Sequence, residues 1–547
     1  MNKVSFPPQT KYIVGNEACE RFSFYGMRSI LTLYMTGVLL MEESAAVEVA
    51  HLFNALIYIL PLLGAWIADR FLGRYRTILY ISLFYCVGHG VLACADLTGD
   101  LETRKWILFI GLFIIALGAG GIKPCVSAFV GDQVAEGYDE KVMTRVYAAF
   151  YWSINLGSFF SFLVIPWVRQ NWGYSWAFGI PGIFMGLATL FFWCGRRQYR
   201  HKAPSQPLFL PALLCRVFCG TKKACERFGG ETVAAATSTA LAIAAFIVAV
   251  PPMILLGAWA NNGAESLVTL SGGGETAASL AGLCGMLLYV AALIIALLKM
   301  ADVLEWKNFA GVLGCMLFRP RSEAAALHGE QAMRGARNLL RVLIVFLMII
   351  PFWSLFDQTM TSWVLQGEQM QAVDLSGFGM RFVFGAEEMQ SFNPLLVMIF
   401  VPLVTLFVYP YIGRWSRPLK RMGIGIVLAG LSYGVVAWIQ AQLEAGTQLS
   451  ILWQCLPYFM LTISEILVST TGIEYAYTAA GKEMKSLVSS FWFLTSTLGN
   501  FLVIYLTHLV DNPIAVSTFL LYGGLAVVIG CLFLFVTTRR AFQAESE

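Results

Sequence analysis

Apolar runs approaching twenty residues recur from one end of this 547-residue chain to the other, for example in 342–356, 396–413, 423–439 and 514–536. A helix needs about 20 consecutive apolar residues to cross a bilayer core. A lipid-facing segment must satisfy its own backbone hydrogen bonds, so each such run is predicted to be helical. Composition agrees: 58% of the residues are apolar and only 13% are charged, against about a quarter charged in soluble domains. The expected class is an all-α membrane protein. The N-terminal stretch is polar and proline-bearing, and the first apolar segment holds Glu17, Glu20, Arg21 and Arg28, which does not read as a cleaved secretory signal.

Fourteen spans are expected, at about 12–40, 47–69, 77–95, 106–130, 143–168, 175–195, 235–260, 277–299, 340–365, 392–412, 422–442, 451–478, 486–509 and 514–537. Basic loops set the orientation. With the N-terminus inside, 30 of the 37 basic residues fall on the inner side and four (Arg104, Lys105, Arg169, Arg381) on the outer side. Both termini are then cytoplasmic. The first six and last six spans carry buried charge. Spans seven and eight carry none internally and sit between two basic inner loops. The predicted organisation is a six-helix bundle over 1–200, a linker with an inserted hairpin over 201–336, and a second six-helix bundle over 337–547. Duplicated halves around a central site are a common transporter plan.

Ionisable groups inside a span cost about 2.5–3.5 kcal/mol each on insertion scales, so they need a reason. Glu17, Glu20, Arg21 and Arg28 lie in span one, Lys123 in span four, Asp357 in span nine and Glu465 in span twelve. Packing ion pairs would account for any one of them. The whole set points to a shared interior. It holds four carboxylates against three bases, and one bound proton balances it. Arg28 and Lys123 in the first half, with Glu465 in the second, suit a zwitterion that bridges the halves. Tyr25, Tyr58, Tyr151, Trp353 and Trp492 are candidate pocket walls, with ordinary helix packing as the competing account of each. His51, at the start of span two, is either an interfacial hydrogen-bonding group or a titrating one. The 12 cysteines show no metal-ligand spacing. No HExxH, GxSxG or phosphate-loop motif is present, so neither a metal nor a catalytic residue is predicted, and nothing suggests nucleic acid as a partner. A channel or receptor would not need acids and bases split between two halves.

The run Glu17-Ala-Cys-Glu20-Arg21-Phe22-Ser-Phe24-Tyr25-Gly26 resembles the ExxERFxYYG signature of the proton-dependent oligopeptide transporters, a branch of the major facilitator superfamily. Gly64 to Arg74 is similar to the superfamily loop between helices two and three, and Phe150 to Ser158 to the family's helix five. Gly120-Gly121-Ile-Lys123-Pro124, Phe352-Trp353-Ser-Leu-Phe-Asp357 and Glu465-Ile-Leu-Val-Ser469 resemble the animal intestinal and renal peptide transporters. The inserted hairpin and the short link near 443–450 resemble bacterial members instead. The resemblance implies a monomeric symporter in a bacterial inner membrane that imports di- and tripeptides, with the proton as coupling ion and no cofactor. Arg28 and Lys123 would hold the peptide carboxylate; Glu465, Asn155 and Asn393 the amino terminus and backbone. Tyr25, Tyr58, Tyr151, Trp353, Ser469 and Trp492 would line the pocket. Glu17, Glu20, Arg21, His51 and Asp357 would serve proton coupling, with Asp357 the resting counter-charge of Arg28 or Lys123. The sequence departs from the pattern at Phe24, where a tyrosine is usual, and at Thr405, where an acid would face the gating Arg341. The alternative within the superfamily is a carrier of another small anion or metabolite. Retention of Glu17, Glu20 and Glu465 favours peptides.

Overall fold

The computed structural model describes residues 7–134, 140–204, 221–231, 330–377, 381–404, 417–472, 485–507 and 512–537, apart from isolated positions between them. Expected spans seven and eight lie outside the described residues, as does Thr405. The chain forms two compact units: Met1–Ala65, Arg74–Lys202 and Asn338–Glu547 make the first, and Trp66–Gly73 with Ala203–Arg337 the second. The described part of the second unit includes a short helix, Thr221–Phe228.

The helices are α1 (Thr10–Leu33), α2 (Glu43–Ile67), α3 (Arg74–Cys94), α4 (Leu101–Val134), α5 (Glu140–Trp172) and α6 (Tyr174–Cys194), then the short α7 (Thr221–Phe228). There follow α8 (Glu330–Phe356), α9 (Ser362–Glu368), α10 (Ala386–Met389), α11 (Phe392–Leu403), α12 (Pro418–Glu444), α13 (Cys455–Glu465), α14 (Lys485–Thr507) and α15 (Val516–Thr537). Among the described residues nine helices are long and apolar enough to cross a membrane. Helix α1 fails that test because of its own charges, and those are buried rather than lipid-facing. Two-thirds of the apolar window of α2 is buried, against one-third for α15, so α2 lies inside the bundle and α15 at its lipid-facing edge.

Close helix contact comes from small residues, since lipid gives no hydrophobic drive for helices to associate. At Gly157 a Cβ would run into the carbonyl oxygen of Ala18, so α5 meets the backbone of α1 just beside the charged turn. Gly430 and Gly523 bring α12 against α15 in the same way. Gly173, at φ +84°, makes the one-residue turn between α5 and α6, a conformation that glycine adopts without a Cβ penalty.

Several boundaries differ from the expectation. Helix α2 begins at Glu43, so His51 lies inside it, 1% exposed. Helix α8 starts at Glu330 and tightens into a 3₁₀ turn at Asp357–Met360. A small antiparallel hairpin, β1 (Val373–Asp374) with β2 (Val383–Phe384), pairs Val373 with Phe384. It lies in the link between α9 and α10 and has no apolar period long enough to foretell it.

Candidate binding and coupling site

The spacing of the acids on α1 forms the first cluster. Residues three and four apart share a helix face, so Arg21 can meet both Glu17 and Glu20. Its Nε lies 2.7 Å from Glu17 Oε1 and 3.0 Å from Glu20 Oε2. Glu20 is fully buried, and beyond this ion pair its oxygens have no hydrogen-bond partner. Two acids share one base here, which leaves a buried negative charge, and such charges cost several kcal/mol unless compensated.

The next two cations are not compensated by acids. Among the described residues neither Arg28 nor Lys123 forms an ion pair, since every salt bridge resolved there joins other groups. The Lys123 ammonium instead lies 4.3 Å from the centre of the Phe24 ring and 4.7 Å from that of Tyr58. The Arg28 guanidinium lies 5.6 Å from Phe24. Three helices, α1, α2 and α4, thus converge on Lys123.

Across the molecule, Glu465 closes α13, and the helix widens into a π turn over Ile466–Thr470 that carries Ser469. Such bulges are frequent at functional sites. Asn393 on α11 donates to Glu465 Oε2 at 2.8 Å and to Thr462 Oγ1 at 3.1 Å. Asn155, expected beside them, donates to the Tyr151 carbonyl of its own helix. Tyr25 is in electrostatic contact with Arg28 and Glu20 of the first half and with Glu465 of the second. Tyr151 likewise senses both Glu465 and Tyr25, while exposing 39% of its surface. These groups therefore border one common interior. Trp353 and Trp492 pack edge to face at 6.0 Å, and the buried Trp353 Nε1 has no partner.

Asp357 is in electrostatic reach of Arg28 and Lys123, but its close contacts are neutral. It accepts from Asn500 Nδ2 at 2.8 Å and Ser496 Oγ at 3.3 Å, and forms no ion pair with Arg28 or Lys123. Neutral α14 groups satisfy it instead. Asn500 Oδ1 then faces His51 Nδ1 at 2.7 Å and Asn54 Nδ2 at 3.1 Å. An amide oxygen can only accept, so His51 donates from Nδ1; its Nε2 meets Thr361 Oγ1 at 3.1 Å. This His51–Asn500–Asp357 chain links the two halves. Asn54, Thr361, Ser496 and Asn500 were not singled out from sequence, although asparagines in apolar spans are a visible signal.

A further set of contacts joins the halves where α5 ends, against the β1–β2 hairpin and α10. Arg169 donates to Glu387 at 2.7 Å, and Gln170 donates to Glu388 at 2.7 Å. Gln170 also donates to the Val383 carbonyl and accepts from the Val383 N–H, as an added strand would. Asn171 reaches the Arg381 carbonyl, Gln390 the Ser29 carbonyl and Thr32 the Met360 carbonyl. Burial pushes Glu388 up to about 7 and Glu387 up to about 8, with Arg169 pulling the other way. Sequence reasoning had placed Arg169 and Arg381 outside but missed the two acids. Among the described residues no group of three or more His, Cys, Asp or Glu is arranged to hold a metal ion.

A family model described as PTR2, POT family, matches residues 75–520. The chain is 32% identical to solute carrier family 15 member 2 of Mus musculus over 451 residues, covering 80% of this chain and 50% of that one. It thus spans about half the length of the curated relatives it matches. The structure of an auto inhibited POT family peptide transporter is similar over 98% of both chains, at 35% identity and TM-score 0.70. That of the POT family transporter PepTSo is similar over 99% of both, at 34% identity and TM-score 0.72.

Proposed function

The chain belongs to the POT family, and from that membership we propose that it is a proton-coupled symporter importing di- and tripeptides across the cytoplasmic membrane by alternating access. The observation that carries this is the split of unlike charges around Tyr25. Two cations without acid partners, Arg28 and Lys123, lie on one half; Glu465, held by Asn393, lies on the other. A dipeptide is a zwitterion whose ends are a few Å apart, with each added residue extending its reach by about 3.3–3.6 Å. Its carboxylate goes to Arg28 and Lys123, and its ammonium to Glu465. Both halves then bind one ligand, which favours the state in which they close on it. Tyr25, Tyr58, Tyr151, Trp353, Ser469 and Trp492 line the side-chain space, with Asn155 and Asn393 directed to the backbone.

The proton enters through the surplus carboxylate. Glu17 and Glu20 share Arg21, so protonating either relieves a buried negative charge. His51 and Asp357, joined through Asn500, pass or hold protons at the junction of the halves. The outer contacts of Arg169, Gln170 and Asn171 hold the outward face shut while the interior empties, and reopening breaks them. The protein works as a monomer in a bacterial inner membrane, with both termini in the cytoplasm, the proton as coupling ion, and no cofactor or catalytic step. Residues 1–200 and 337–547 form the moving bundles, and 201–336 the linker with its hairpin.

Proteoliposomes with an acidic exterior test this. Labelled dialanine is expected to accumulate above equilibrium and to stop doing so when the gradient is collapsed. Uptake no greater than in protein-free liposomes would contradict the proposal. Uptake of another small anion under the same gradient, without dialanine, would move the assignment to the alternative cargo.

A further inference from the structure

A buried ammonium ordinarily settles on the nearest carboxylate, since an unpaired charge in a low dielectric is costly. Lys123 has two acids within electrostatic reach, Glu20 and Asp357, yet it pairs with neither. It lies between two aromatic faces at 4.3 and 4.7 Å. Of these, Phe24 also takes the Arg28 guanidinium, one helical turn along α1. Phe24 is 1% exposed and is held edge-on by Tyr25 at 5.2 Å. One buried ring therefore contacts both cations.

A ring attracts a cation through its quadrupole without neutralising it. A carboxylate partner would have to be displaced before a ligand carboxylate could bind; an aromatic face need not move. The flexible lysine stem is fixed at the same time, which lowers the ordering cost of binding. The tyrosine usual at this position keeps the same face, and Phe24 lacks only the hydroxyl. We propose that Phe24 is a positioning residue: its ring holds Lys123 and Arg28 out of ion-pair contact with Glu20 and Asp357 and presents both to an incoming carboxylate. This rests on the peptide-import proposal above.

The test compares Phe24→Leu, which keeps an apolar side chain but no π face, with Phe24→Tyr, in reconstituted full-length protein. Cargoes are dialanine and dialanine amide, which lacks the carboxylate. With Phe24→Leu, KM for dialanine is expected to rise about tenfold, because Lys123 is freed to pair with Glu20 or Asp357 and the ligand carboxylate must then displace that acid. kcat and the KM for the amide should stay within about twofold, because the lost contact serves carboxylate binding only. Phe24→Tyr should resemble the parent protein. Phe24→Met, which also lacks a π face, serves if Phe24→Leu is not recovered folded. An unchanged KM in either variant overturns the proposal. So does an equal rise for dialanine and its amide, or a Phe24→Tyr variant as impaired as Phe24→Leu. A parent protein that transports no dialanine removes peptide import itself, a failure separable from any of these.

Discussion

In the proposed function Arg28 and Glu465 take opposite ends of the same cargo, so their substitutions are expected to separate by ligand chemistry. Hydrogen bonds to charged groups contribute about 1.5–3 kcal/mol. Arg28→Ala is therefore expected to weaken dialanine uptake about ten- to hundredfold in KM, and to affect the carboxyl-amidated peptide far less. Glu465→Gln should show the converse pattern, losing dialanine while treating N-acetylated and free peptides alike. Competition assays against labelled dialanine would show it. Equal losses for all three ligands would mean that these residues serve packing. At this scale the sequence was informative about charge and silent about neutral partners. Glu17, Glu20 and Arg21 were legible because a four-residue spacing on a helix dictates their contact. The partner of Asp357 was not, because Asn500 and Ser496 are uncharged, lie well over a hundred residues away and meet it only through folding.

Elements are placed by two kinds of contact, and each gives a test. Where α5 crosses α1, Gly157 leaves no room for a side chain. Gly157→Val is expected to cost about 1–3 kcal/mol, the usual penalty of overpacking, seen as a lower Tm in detergent. An unchanged Tm would mean that the helices separate freely. The outer contact has a pH signature. Burial raises the Glu388 carboxyl to about 7, above the value of about 4.3 for a free glutamate. A raised carboxyl contributes fully below the unfolded value and loses that contribution as pH rises through about 7. The Tm should fall between pH 5 and pH 8. Glu388→Gln, neutral throughout, should reduce that slope, with the remainder due to the neighbouring Glu387, raised to about 8, even if it lowers the absolute Tm. A slope identical in the variant would assign the pH dependence elsewhere. The helices themselves were legible from apolar runs, because lipid leaves the backbone no alternative. The β1–β2 hairpin and the Gln170 clasp were not, since a two-residue strand has no period and its partner lies on a distant helix.

In the whole molecule, the two halves share one interior in which charges of opposite sign are divided and do not cancel. Glu17, Glu20 and Arg21 leave a carboxylate over, while among the described residues Arg28 and Lys123 have no acid in ion-pair contact; on the proposed function the cargo carboxylate fills that place. Proton and cargo then enter the same electrostatic balance, and neither should move far without the other. The direct measurement is the converse of gradient-driven uptake. Proteoliposomes with equal pH on both sides and a trapped pH-sensitive dye receive an inward gradient of dialanine, with membrane potential clamped. Peptide entry is expected to acidify the lumen, and Glu20→Gln to abolish that acidification while leaving peptide exchange measurable. Peptide entry at a steady internal pH would contradict proton coupling outright.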